Sequence, residues 1–249
     1  LDGRKMANKA THDKNHSSMS LRSGSIDRNL KLNNTHNIDG LVCECCQTDI
    51  TMTDRGPIGV YRDRSTEEYR DIYITKLENE SWTEGKPLHL DNWKINGCPV
   101  NGPVITGNNN EITVAWYTRS GGKSNIKVAK SFDYGETFNE PLLIGTNETV
   151  GHISMTTDNK RNTWLLWQKT AKKGLVELVL TKIEPDSNQI MHKIIEEAGK
   201  NPRFSFPQII RNGETIILAY TTVINDSRKT RGSNRKTSIK SLSFNANLY

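Results

Sequence analysis

No apolar run in the sequence reaches the roughly 18 residues a helix needs to cross a bilayer, so no helical membrane span is expected. Leu1 stands where an initiator Met would, and no short apolar segment of the signal-peptide kind follows it. The expectation is that the gene product starts upstream, with the signal region of an extracytoplasmic protein, secreted or periplasmic, outside this chain. Helical periodicity is scarce: the single stretch suggesting a helix runs from Ile194 to Ala198. Hydrophobic residues make up 34% and aromatics 7%, low for a tightly packed α/β enzyme but enough for a sheet protein with solvated loops. The basic excess is thin, 34 Lys+Arg against 28 Asp+Glu for a net charge of +6. Its densest run, SRKTRGSNRKTSIK from Ser227 to Lys240, has no aromatic side chain on which a base could stack. That run reads as a solvated loop, and no nucleic-acid partner is expected.

Against these absences stands a repeated pattern of short strands. Segments 102–119 (GPVITGNNNEITVAWYTR), 152–169 (HISMTTDNKRNTWLLWQK) and 206–222 (FPQIIRNGETIILAYTT) each read strand, Gly/Asn/Asp turn, strand closed by an aromatic. The closing aromatics are Trp116, Trp167 and Tyr220, spaced 51 and 53 residues, and Tyr61 in GPIGVYRDR lies 55 before the first. A third strand follows each pair: DIYITKL (71–77), NIKVAKS (125–131), LVELVLTKI (175–183) and TSIKSLSF (237–244). A period near 50 residues, four short strands long, is that of a propeller blade. The 249 residues then form one all-β domain, with blade repeats at about 1–40, 41–95, 96–148, 149–200 and 201–249.

After the second of those third strands comes SFDYGETF, Ser131 to Phe138. An Asp two residues after the Ser can accept backbone N–H bonds inside the loop, and the Gly two further on supplies a positive φ. The segment is therefore expected to be a self-bonded turn between third and fourth strands, its closing aromatic plugged between sheets.

SFDYGETF resembles the Asp-box of the sialidase (neuraminidase) superfamily, with worn copies at LENESW (77–82) and LRSGSIDRN (21–29). LDGRK at the N-terminus is similar to the family's Asp-x-Arg segment. The resemblance implies a six-bladed propeller, here incomplete, and an activity toward terminal acidic sugars, either as an exo-glycosidase or as a degenerate sugar-binding relative. It also implies three arginines on the sugar carboxylate, a Tyr nucleophile helped by a Glu, and an Asp acid/base; a guanidinium fork suits a carboxylate, and a Tyr nucleophile departs from the two-carboxylate scheme. The catalytic candidates so implied are Asp13, Asp2 and Tyr220, with Glu67 available as the helper; the substrate-binding candidates are Arg4, Arg62, Arg70, Asp71 and Arg119. The family's first arginine, in an Arg-Ile-Pro motif, would lie upstream of Leu1. The expected partner is a glycan or glycoconjugate, and the expected state a monomer.

Topology sorts these residues by end. In a four-stranded antiparallel blade, the second-to-third loop and the crossovers share one face, the mouth, while the third-to-fourth turn lies on the other. YRDRSTEEYRDIYI crowds Arg62, Arg64 and Arg70 with Asp63, Glu67, Glu68 and Asp71 at one mouth loop, as either a ligand site or a salt-bridge network. Arg203 and His152 fall at the same end, and Trp93 is expected to pack under a crossover.

Four cysteines remain: Cys43, Cys45 and Cys46 in VCECCQT and Cys98 in GCPVNGP, at equivalent positions before neighbouring blades. The favoured reading is a disulfide, Cys98 with one of the triplet or a vicinal Cys45–Cys46 bridge. A thiolate site for copper or zinc, with His152, is the second reading, its spacing matching no standard zinc pattern; free thiols are the third. No cofactor is required by the sugar-directed reading. The alternative function is a non-catalytic scaffold that binds a metal or a protein partner through this Cys-lined mouth. His12 and His16, four apart in polar surroundings, read as loop residues.

Overall fold

The computed structural model describes residues 19–185, 189–198, 204, 206–225 and 236–249. Asp2, Arg4, His12, Asp13, His16, Arg203 and residues 227–235 of the basic run lie outside them.

In chain order the strands are β1 (Met19–Ile26), β2 (Leu32–Val42), β3 (Asp49–Thr53), β4 (Gly56–Arg62), β5 (Ile72–Glu78), β6 (Ser81–Trp82) and β7 (Lys86–His89), then β8 (Val104–Asn108), β9 (Glu111–Thr118), β10 (Asn125–Ser131) and β11 (Leu142–Thr146). They continue with β12 (Thr149–Thr157), β13 (Thr163–Thr170), β14 (Val176–Ile183), β15 (Ile190–Ala198), β16 (Gln208–Asn212), β17 (Thr215–Asn225) and β18 (Lys236–Asn245). All pairings are antiparallel and sequential: β1-β2, β3 to β7, β8 to β11, β12 to β15, and β16 to β18. In the second sheet the outer strand is split into β6 and β7, both on β5.

The first strands of successive sheets touch, β3 on β8, β8 on β12 and β12 on β16, so the sheets fan around an axis as propeller blades do. The arc is incomplete: among the described residues no comparable contact joins β16 back to β3. Ile194 to Ala198, expected as a helix, is the end of β15, because β14 offers a full-length ladder from Ile183↔Ile190 to Val176↔Ala198. A five-residue helix could not repay its own nucleation against that.

Three cores fill the spaces between blades. Ile58, Val60, Ile72 and Ile74 meet Ile105, Ile112, Val114 and Trp116. The second joins Ala115, Ile126 and Val128 to Leu165, Trp167 and Val179, and the third joins Trp164, Leu166 and Leu178 to Ile216, Leu218 and Tyr220. Consecutive residues of β13 therefore serve opposite cores, Trp164 and Leu166 one way and Leu165 and Trp167 the other, which is the period of two of a strand sandwiched on both faces. This is why β14, VELVLTKI, is buried at all of its positions.

The aromatics that set the repeat are equivalent in space. Each reaches toward the preceding blade or along its own with its polar tip satisfied: Tyr61 Oη donates to Asp39, Trp116 Nε1 to Asp91, Trp167 Nε1 to Thr181 and Tyr220 Oη to Glu196. The turn at Ser131–Phe138 joins β10 to β11 and satisfies itself. Asp133 accepts from Ser131 Oγ (2.7 Å), Thr137 N (2.9 Å) and Thr137 Oγ1 (2.6 Å), while Ser131 Oγ accepts from Gly135 N (2.7 Å). Gly135 sits at φ +75°, and Phe138 packs on the first core. Tyr134 N donates to Asn110 O, so this turn and the β8–β9 turn share one end of the blades.

Candidate functional site at the propeller mouth

The opposite end gathers the loops that carry the candidate chemistry: 43–48, 63–71, 90–103 and 119–124. Arg62, the last residue of β4, is their brace. It is 1% exposed, and its Nε, Nη1 and Nη2 donate to the carbonyls of Asn101 (2.8 Å), Arg70 (2.5 Å) and Tyr117 (2.6 Å). Its guanidinium also lies 5.0 Å from the Trp93 ring centre, with Trp93 buried edge-on to Tyr117 under the 90–103 crossover. Burial lowers its pKa, opposed by the acidic groups and thiols around it. With every nitrogen committed to backbone, Arg62 is not placed to receive a substrate, contrary to the expectation from sequence.

Asp71 is likewise structural: 5% exposed, its carboxylate accepts from Asn92 N and Trp93 N, both at 3.3 Å, pinning the start of the crossover. Arg64 bridges Glu44 and Glu68, tying the cysteine loop to the 63–71 loop. Glu67 is exposed and takes its hydrogen bonds from Thr66 and its own loop. Arg70 is 2% exposed and bonds Glu68 through Nη2 at 2.6 Å, but its buried Nε and Nη1 have no hydrogen-bond partner. Arg119 is exposed, its Nε on its own loop's Gly122 carbonyl at 3.4 Å. The described arginines therefore do not form a common clamp.

Tyr220 stands apart from them. It is 4% exposed in the third core, edge-on to Phe204, with its hydroxyl on Glu196 at 2.7 Å, and Glu196 also holds Thr222 and Lys240. Burial first and the Glu196 bond second raise its phenol pKa. Its equivalence to Trp116 and Trp167 makes it an inter-blade packing aromatic, not the nucleophile the resemblance implied.

Two features were not read from the sequence. Asp39, at the end of β2, faces Asp63; burial and the Asp39 charge raise the Asp63 carboxyl to about 7. The second is a polar cavity of about 370 Å³ on the axis, lined by the first strands and their lead-ins, including Gln47, Asp49, His152, Ser154, Phe206 and Gln208. Neighbouring blades are stitched there by side chain to backbone bonds: Ile105 N to Asp49 (2.9 Å), Ile209 N to Ser154 (3.1 Å) and His152 N to Asn101 (2.8 Å). Burial raises the Asp49 pKa. The lining holds backbone outliers for bulky residues, His152 at φ +54° beside Gly151 at +92°, and Phe206 at +36°. Such conformations cost of order 1–3 kcal/mol each and cluster at functional sites. Phe206 stacks on His152 (4.7 Å) yet stays 56% exposed.

The cysteines converge at the same mouth. Cys45 and Cys98 are bonded, with Cα atoms 6.1 Å apart, while Cys43 and Cys46 are free thiols. A bond from the Cys46 thiol, helped by Cys45 N–H and the Arg70 and Arg62 charges, lowers the Cys43 pKa against its burial. Donating that bond from a buried position raises Cys46.

No protein family's sequence profile matches the chain, and no curated protein matches it. Solved structures do. A GH43_12 protein retrieved from capybara gut metagenome aligns with a TM-score of 0.52 at 13% identity, over 81% of this chain and 40% of that one. A Hadza microbial sialidase, Hz136, aligns with a TM-score of 0.49 at 16% identity, over 78% of this chain and 43% of that one. The chain thus spans about two fifths of each, and at 13% identity the likeness to the GH43_12 protein is one of fold, a partial all-β propeller.

Proposed function

We propose that the chain is part of a sialidase-like, glycan-directed propeller that seats a terminal sugar ring in the axial cavity. The observation that carries this reading is Phe206, an aromatic held out at positive φ over a polar cavity of about 370 Å³. Ligand sites are concave, a few hundred Å³ in volume, and pair an apolar face with a few directed polar groups. Arg119, exposed on the β9–β10 loop at the mouth, is the guanidinium this reading assigns to the carboxylate of an acidic sugar. In the hydrolase form of the reading, the proton donor assigned is Asp63, a mouth carboxyl next to Asp39 that burial raises to about 7 and so leaves partly protonated at neutral pH. Without turnover, the same cavity serves a sugar-binding relative.

The test is equilibrium binding and fluorogenic turnover of one acidic and one neutral glycoside, on the full natural chain. Phe206→Ala should weaken binding about tenfold, the scale of one lost sugar–aromatic contact, without lowering the melting temperature, because the side chain is largely exposed. Asp63→Asn should abolish turnover and spare binding. A wild-type protein that neither binds nor cleaves either glycoside would sink the proposal.

A further inference from the structure

Three of the chain's four cysteines cluster at one point of the mouth, and the fourth is bonded to one of them. The Sγ atoms of Cys43, Cys45 and Cys46 lie within 4.8 Å of one another, with Cys43 and Cys45 at 4.0 Å, and Cys98 is bonded to Cys45 from the neighbouring blade's crossover. Sulfurs that ligate one tetrahedral ion through bonds of about 2.3 Å stand about 3.8 Å apart, so the sulfurs of the triplet need to close by about an ångström at most, while those of Cys45 and Cys98, once reduced, move apart from bonding distance. The disulfide now occupies two of the four sulfurs.

The surroundings suit an anionic metal–thiolate centre better than a plain crosslink. A divalent ion with four thiolates carries a net charge of −2, and two buried guanidiniums, Arg62 and Arg70, interact electrostatically with the thiols. Arg62 is fixed by its three carbonyls, but Arg70 keeps Nε and Nη1 buried and without partners. Donors of that kind are what sulfur ligands accept in the outer shell of a metal site. Backbone N–H groups of Cys45 and Asn101 point at the sulfurs of Cys43 and Cys46. Val100, β-branched and at φ +53°, lies two residues beyond Cys98, so the crossover is held in a costly conformation where it brings its cysteine in.

We propose that Cys43, Cys45, Cys46 and Cys98 form a redox-gated site for one thiophilic cation, Zn²⁺ by the count of four thiolates. In the oxidised state the Cys45–Cys98 bond closes it. A dithiol reductant opens it: two electrons and two protons pass to Cys45 and Cys98, the reductant becomes a disulfide, and the ion then displaces the thiol protons as it binds. Cys98, exposed at the surface, is where the reductant gains access.

The experiment is titration of the metal-stripped protein with Co²⁺ alone, under reducing and then non-reducing conditions, followed by displacement with Zn²⁺. The reduced wild type should develop thiolate-to-cobalt absorption that saturates at one ion per chain and vanishes with one equivalent of Zn²⁺. Cys43→Ser and Cys98→Ser should each lower affinity at least a hundredfold while keeping the wild-type circular dichroism. Because either variant can loosen the mouth, the double variant Cys43→Ser/Cys46→Ser, which leaves the disulfide intact, is the second comparison. Uptake by the reduced wild type no greater than by that double variant would overturn the site, and equal uptake by oxidised and reduced wild type would overturn the gate.

Discussion

The two ends of the blades solve the same problem, an irregular backbone that must satisfy its polar groups, in opposite ways. At the turn end, the Ser131–Phe138 loop closes on bonds between residues two and four apart. At the mouth, Arg62 reaches residues 39 and 55 positions away, Gly102 N bonds Gln47 55 positions away, and His152 N bonds Asn101 51 positions away. The turn is sufficient in itself and can repeat, worn or intact, under any blade. The mouth exists only when several blades are already in place, so it is where specific function can differ between propellers that share a fold.

The sharpest way to break this contrast is at its brace. Arg62→Met should leave the Asn101, Arg70 and Tyr117 carbonyls buried without a donor, costing about 3 kcal/mol or more. For a chain of this size that is a melting-temperature loss of about 10 °C. Amide hydrogen exchange should rise together in 43–47, 93–102 and 117–120, segments distant in sequence. Exchange confined to the 63–71 loop would mean the mouth is no more cooperative than a turn.

Gly135→Ala is the matching change at the other end. A Cβ there would sit 2.9 Å from Ile74 Cδ1 on a residue at φ +75°, a cost of about 1–3 kcal/mol. Its exchange signature should stay within 130–139 and the strand it abuts. Smaller again is Asp133→Ala, which removes the acceptor of Thr137 N and Oγ1 for about 1 kcal/mol. The Thr137 and Ser131 bonds hold the Asp133 carboxyl down at about 2. Its folded value lies below the unfolded one, so this contribution is present above about pH 4 and fades as pH falls through about 2. A variant whose acid unfolding midpoint equals that of the wild type would show that the turn does not depend on its carboxylate.

The same contrast explains what the sequence discloses. The propeller is legible because its signal is local and repeated: the aromatics Tyr61, Trp116, Trp167 and Tyr220 recur about every 50 residues, and SFDYGETF carries its hydrogen bonds within itself. The convergence of Cys98 on the triplet is legible for the same reason, since equivalent positions in adjacent blades are neighbours. Ile194 to Ala198 suggests a helix in the sequence yet ends β15, because the neighbouring β14 decides its conformation. Arg62 and Tyr220 look like site residues by type and position, and only the structure reveals that the carbonyls and the packing core claim them. Asp39, Asn101 and Phe206 carry no motif at all; their roles come from partners 22 to 51 residues away or from φ.

A last test reads the mouth through its protons. Asp63 shares a buried corner with Asp39, which also accepts the Tyr61 hydroxyl at 2.7 Å. Its carboxyl is raised to about 7 in the fold, above the unfolded value of about 3.9. The stabilisation from holding that proton is therefore complete below about pH 4 and is lost as pH rises through about 7, the reverse of Asp133. Asp63→Asn keeps the shape and removes the titration. Urea midpoints of the wild type should fall between pH 5 and pH 8 relative to those of the variant, and the two should track each other where only the turn-end carboxylates titrate. Parallel curves across pH 5 to 8 would show that Asp63 is solvated and ionised like any surface acid, and would remove it from the proton-donor role together with the idea that the mouth stores a proton the turns do not.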